Sequence, residues 1–232
     1  MQFDTGRGTV MRLADVGLLP QDKAAVFVTH IHSDHVEGLS DLVQIRWMYG
    51  PDRPKLDVLC PADAAAAGGS YTASRKTLVT HIDDANELSG ETAVRIEEMP
   101  GLDPGGAVAR LNVLSFENRT EPRVVWQSGD VTVSAAIHPA LSPEALSGMP
   151  EAVHYRQSNA TDIGAMAARA GVGTVMLTHL GPALGAATQG PWVIPGGPLD
   201  AADFEQAVRD GGFAGDIVAG TDLATVRLVA GQ

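Results

Sequence analysis

The chain has 232 residues, 44% hydrophobic and 19% charged, with a formal net charge of −12, which excludes wholesale disorder and supports one large domain over residues 1–232. The acidic balance argues against a surface that holds polyanions, so nucleic acid is not the expected partner, although bound divalent cations would create a local positive site. With no run approaching the ~20 apolar residues of a membrane span and no signal pattern in M-Q-F-D-T-G-R-G, a cytoplasmic protein without membrane association is expected.

The first predicted element is a helix over about residues 9–16, with Val10, Leu13 and Ala14 on one face and Gly17 at its end. A buried strand from Ala24 to Val28 then runs into T-H-I-H-S-D-H, residues 29–35. Behind it Leu39, Leu42, Val43 and Trp47 recur with helical spacing, so the cluster sits on a strand-to-helix loop. His30 and His32 are alternate positions on an extended segment and can reach one ion together. Asp34 and His35 lie past the turn and would reach a second ion. Three histidines in six residues have no packing use and repel one another when protonated. Imidazole and carboxylate at this density suit zinc, with manganese or iron as alternatives.

The run Leu56 to Cys60 reads as a strand, its lone cysteine a small buried apolar residue that fits a reducing compartment. From Ser70 to Arg123 the pattern weakens, with faint strand signals near Val94 and over Val108 to Leu114. Val124 to Gln127 and Val131 to Ile137 form a predicted hairpin around Ser128-Gly129-Asp130, and the second strand leads to His138. Ile163, Met166, Ala167 and Ala170 make a helical stripe ended by Gly171, and Val175-Met176-Leu177 is a strand that runs into Thr178-His179. Asp200 caps a helix with Phe204, Ala207 and Val208 inward and Gly211-Gly212 at its end. Ile217 to Ala219 and Thr225 to Val229 are the closing strands. Strands alternate with helices late in the chain, which points to sheets with helices outside them, an α/β layered architecture.

His138 and His179 each follow an apolar strand, as His30 does, and strand ends on one edge of a sheet converge on a cleft. His81 lies in the poorly patterned middle, and His154 stands near a helix start as a residue that could line the cleft.

T-H-I-H-S-D-H resembles the H-x-H-x-D-H signature of the metallo-β-lactamase superfamily. F-D-T-G-R-G-T, the strand ending in His138, G-V-G-T-V-M-L-T-H-L-G-P, G-P-W-V-I-P-G-G-P-L and G-T-D-L-A-T-V-R-L are similar to its ribonuclease Z and arylsulfatase-like branch. The resemblance implies a four-layer αβ/βα sandwich, here without its first strands and without a segment after His138. It implies one zinc on His30, His32 and His138 and a second on Asp34, His35 and His179. A hydroxide held by the ions would attack, with Asp34 accepting its proton.

Two departures from the family pattern stand out. The family expects a metal-bridging aspartate between the third histidine and the last, but the 40 residues between His138 and His179 contain one aspartate, Asp162, at a helix start. Related ribonucleases also place a proton-donating histidine where this chain has Gln157; His154, three residues earlier, is the candidate substitute.

The expected function is a two-metal hydrolase of a small ester, such as a sulfate, phosphodiester, phosphonate or lactone. The alternatives are a metal-binding or degenerate member without turnover, and a ribonuclease Z-like tRNA-processing phosphodiesterase. Missing sheet strands would leave edges that a homo-oligomer could cover.

Overall fold

The computed structural model describes residues 1–30, 32–61, 84, 90–117, 119, 121–136, 158–194, 196–224 and 226. The chain falls into two compact units, Met1–Asn118 and Arg119–Gln232.

The first unit is built on four parallel strands in sequential order, β1 (Gln2–Phe3), β2 (Ala25–Phe27), β3 (Leu56–Pro61) and β4 (Leu111–Phe116). Parallel neighbours need a crossover. Helix α1 (Thr9–Asp15) lies between β1 and β2, and α2 (Ser33–Val36) and α3 (Leu39–Tyr49) lie between β2 and β3. Helix α4 (Glu91–Glu98) lies between β3 and β4. The register sets Val26 beside Val58 and Val58 beside Val113 on one face, with Phe3, Phe27, Leu59 and Leu114 in a row on the other. The valine face joins Leu39, Leu42, Val43 and Trp47 of α3 in the main core. Because Ala25, Val26 and Phe27 are all buried, β2 reads as an unbroken apolar run rather than an alternating one.

Helix α3 is buried around most of its circumference. Its Arg46 sits in the interior because its guanidinium donates to the backbone carbonyls of Pro54 (2.7 Å) and Lys23 (3.4 Å), which tie the α3–β3 loop to the start of β2. The strand expected near Val94 is instead α4. Arg95 pairs with Glu91 four residues before it and Glu98 three after it, a ladder that favours helix over an extended run. The strand expected from Val108 begins only at Leu111, after a 3-10 turn over Ala107–Arg110.

In the second unit β5 (Arg123–Ser128) and β6 (Val131–Ala135) form the expected antiparallel hairpin, turning at Gly129 with φ +56°. Helix α5 (Ala160–Ala170) ends on Gly171 in the left-handed conformation and leads to β7 (Thr174–Leu177). A short antiparallel pair, β8 (Thr188–Gln189) and β9 (Trp192–Val193), follows. Helix α6 (Ala201–Asp210) starts at a reciprocal cap: the Asp200 carboxylate accepts from the N–H of Ala202 and Asp203, and Asp203 accepts from the Asp200 N–H. β10 (Asp216–Ala219) then pairs parallel with β7. Ala167, Val175, Leu177, Val208 and Phe213 form this unit's core. Helices α5 and α6 approach closely at Gly164, where a Cβ would overlap the Val208 carbonyl oxygen. Most of the strand expected over Thr225 to Val229 lies outside the described residues, as does His81.

Candidate metal centre

The histidine loop is shaped by the segment after β1. Asp4 N–H donates to the Phe27 carbonyl, Thr5 N–H to the His35 carbonyl and Gly38 N–H to the Thr5 carbonyl, each at 2.7 Å. This strap lashes the C-terminal end of the β1–β2 pair to the last turn of α2 and the start of α3. Gly6 lies so close to α2 that a Cβ would overlap the Asp34 carbonyl oxygen. Asp4 takes φ +50°, a left-handed conformation that aspartate tolerates better than most residues. There its carboxylate turns back over the loop and accepts from Thr29 N–H (2.8 Å), from Thr29 Oγ1 (2.9 Å) and from His35 Nδ1 (2.7 Å).

These bonds assign the ring protons. A carboxylate only accepts, so His35 carries a proton on Nδ1, and its other ring nitrogen, Nε2, lies 3.4 Å from the Asp34 carboxylate. The Thr29 hydroxyl has one proton and gives it to Asp4. His30 Nδ1, 3.1 Å from Thr29 Oγ1, is then the donor to that oxygen, and in the neutral ring His30 Nε2 keeps a lone pair. That nitrogen faces His32 Nδ1 at 2.9 Å, and the His30 ring centroid lies 4.0 Å from that of His35. Burial, reinforced by the neighbouring His35 and His32 rings, holds His30 below the ordinary imidazole pKa and so favours its neutral, ligating form.

The donor set fits a divalent metal. Two imidazole nitrogens bound to one tetrahedral zinc stand roughly 3.3 Å apart for bonds near ~2.05 Å, close to the spacing of the His30 and His32 nitrogens. His35 donates from Nδ1 to the Asp4 carboxylate, the support that ligating histidines show. Asp34 is the exposed member of the group.

Of the remaining residues singled out from the sequence, His179 stands in the second unit two residues after the end of β7, with φ +56°. His138, His154 and Gln157 lie outside the described residues, as does the segment after His138. Asp4 and Thr29 are the functional residues that spacing alone did not single out. Their signal was present: F-D-T-G-R-G follows a short apolar start, and a polar residue at the end of one parallel strand lies beside the end of its neighbour.

The family model for the metallo-beta-lactamase superfamily matches residues 3–108. Along nearly the whole chain the sequence is similar to ribonuclease Z of Mycolicibacterium paratuberculosis and of Mycobacterium avium. Each is 26% identical over 257 aligned positions, covering 98% of this chain and 87% of the relative. Ribonuclease Z of Mycolicibacterium gilvum is 25% identical, covering 82% of this chain and 77% of its own. Among solved structures, the short form of human tRNase Z is 26% identical over 38% of this chain and 27% of that one, with a TM-score of 0.28. The match over residues 3–108 and the similarity to ribonuclease Z along the chain support an α/β fold of the metallo-β-lactamase superfamily, in its ribonuclease Z-like branch, and indicate a hydrolase. Among the described residues no helix is long and apolar enough to cross a membrane.

Proposed function

We propose that this hydrolase is a metal-dependent phosphodiesterase of the ribonuclease Z type that processes tRNA. The observation that carries this reading is similarity to ribonuclease Z over 98% of the chain, coupled to a histidine loop whose ring protons are set for metal binding. The names of these relatives stand against the expectation, drawn from the net charge, that nucleic acid is not a partner.

In this reading both units form one domain of a cytoplasmic enzyme. His30, His32 and His138 would hold one zinc and Asp34, His35 and His179 a second. When bound, such ions lower the pKa of water and polarise the phosphoryl oxygen under attack. Asp34 orients the attacking water and takes its proton on the carboxylate. Asp4 keeps a His35 proton on Nδ1 and, through Thr29, the His30 proton on Nδ1, so that in each ring Nε2 is the atom that would ligate. His154 supplies the proton that the leaving oxygen needs.

A second reading, hydrolysis of a small ester such as an aryl sulfate or lactone, is favoured by the charge of −12 and by Gln157 where related ribonucleases have a histidine. The two separate in one experiment. The zinc-loaded full chain is incubated with a precursor tRNA that carries a 3′ trailer and, in parallel, with an aryl sulfate and an aryl lactone. Trailer removal that is abolished by His35→Ala supports the first reading. Turnover of a small ester with intact precursor tRNA replaces it with the second. If none of the three substrates turns over, the chain is a metal-binding member of the fold without turnover.

A further inference from the structure

We infer that Arg7 is a substrate-binding residue that grips an anionic phosphate oxygen of the nucleic-acid strand beside the metal loop; this rests on the phosphodiesterase reading above. Arg7 sits in the strap that crosses α2, between Gly6, packed against the Asp34 carbonyl, and Gly8, which opens α1 at φ +79°. Its place relative to α2 is therefore set by backbone contacts.

The guanidinium is held as well. Nε and Nη2 both reach a single oxygen, Glu37 Oε2, at 2.9 and 2.8 Å. This arrangement fixes one edge of the fork, the Nε–Nη2 edge, and does not engage Nη1. Glu37 lies three residues after Asp34 and continues the helical turn, so the two carboxylates share a face of α2. Arg7 is thereby anchored on the Asp34 side of the helix, the exposed side of the candidate metal centre. Its side chain is 86% exposed.

As a strut such a pair contributes little, since exposed ion pairs are typically worth ~0–1 kcal/mol. Its value lies in position. Lys23, Lys55 and Arg110 stand at or just before the starts of β2, β3 and β4, and Arg53 is in the α3–β3 loop, all at the strand ends away from the histidines. Among the described residues of the loops that follow β1 and β2, Arg7 is the sole Lys or Arg. A protein with a net charge of −12 that approaches a polyanion needs a cation where the strand enters, and a planar fork pre-oriented by Glu37 matches a phosphate.

The test uses the metal-loaded full chain and a fluorescein-labelled single-stranded RNA dodecamer, read by fluorescence anisotropy over a series of salt concentrations. Arg7→Ala is expected to weaken binding by about tenfold at low salt, as for a hydrogen bond to a charged group. The slope of log Kd against log salt should become shallower by about 0.7, the value of one phosphate contact on a single strand. Arg7→Lys should keep the slope and lose part of the affinity, because it keeps the charge without the fork. Equal Kd and equal slope in wild type and Arg7→Ala overturn the assignment, and so does a lowered melting temperature with the slope unchanged.

Cleavage of precursor tRNA by the wild type is followed in the same samples. Arg7-dependent binding without cleavage sinks the phosphodiesterase reading and keeps Arg7 as a strand-binding residue. Cleavage with Arg7-independent binding sinks Arg7 alone. A wild type that neither binds nor cleaves RNA sinks both.

Discussion

Replacing Asp4 with asparagine isolates what the strap does for the metal loop. Asparagine tolerates the left-handed backbone at φ +50°, and its Oδ1 still accepts from Thr29 N–H, so the loop path is kept. What changes is the atom 2.7 Å from His35 Nδ1: a carboxylate oxygen becomes an amide donor that faces another donor. The imidazole must then move its proton to Nε2, the nitrogen the metal needs, or rotate away from the partner that fixes it. Partners of this kind are typically worth 10–100-fold in metal affinity, or about 1.4–2.7 kcal/mol. His35 is well enclosed, with a side chain 12% exposed, so solvent does little to replace the lost acceptor. The assay is zinc competition against a chromophoric chelator, with melting curves of the metal-loaded and chelated forms. Asp4→Asn should bind zinc about 10–100-fold more weakly, and the stabilisation gained on loading should shrink with it. Thr29→Val, which breaks the link from Asp4 to His30 but leaves His35 paired, should cost less. Zinc affinity within twofold of wild type for Asp4→Asn would refute the tautomer argument, because Asp4 would then be only a loop anchor.

Three further outcomes follow from local geometry. Gly6→Ala pushes a methyl group onto the Asp34 carbonyl oxygen and should displace the strap from α2; zinc affinity and melting temperature should fall together, and an unchanged affinity would disconnect the strap from the centre. Gln44 on α3 is buried, and among the described residues neither of its side-chain polar atoms finds a partner, so Gln44→Met should stabilise by about 1–3 kcal/mol, at about 2–4 °C per kcal/mol, in thermal melts of the chelated protein. A lower melting temperature would mean that the amide has a partner after all. Asp200→Ala removes both cap bonds at the start of α6 and should cost about 1 kcal/mol, which urea denaturation can read; an unchanged midpoint would show that the cap adds nothing.

What was legible in the sequence was whatever repeats locally. The stripe Leu39, Leu42, Val43 and Trp47 announces α3 because it lines the face that meets the sheet, and Asp200 and Gly171 announce helix ends because capping is a nearest-neighbour effect. Val94 misleads because its neighbours are charged and its helix depends on Arg95 reaching Glu91 and Glu98, pairs that β-propensity does not register. The histidine cluster is visible from its density alone.

The control of that cluster is a different matter. Asp4 acts across 25 residues on Thr29 and across 31 on His35, contacts that exist only because β1 pairs in parallel with β2 and brings their ends side by side. No periodicity encodes that adjacency. Yet the chemistry depends on it, since an imidazole ligates through one nitrogen only if its other nitrogen keeps the proton. The candidate ligands are therefore named by the spacing of T-H-I-H-S-D-H, whereas the ring protons on the Nδ1 atoms of His30 and His35 are set by F-D-T-G, a stretch with no metal-binding residue of its own in that reading. The same strap carries Arg7 to the Asp34 side of α2, so one five-residue loop, Asp4 to Gly8, both sets the ring protons and places the cation meant for the substrate. A consequence is that the two roles can be uncoupled by mutation: Asp4→Asn should lower zinc affinity and leave the salt slope of RNA binding intact at saturating zinc, while Arg7→Ala should do the reverse. Loss of both properties in both variants would mean that the strap acts only by holding its own shape.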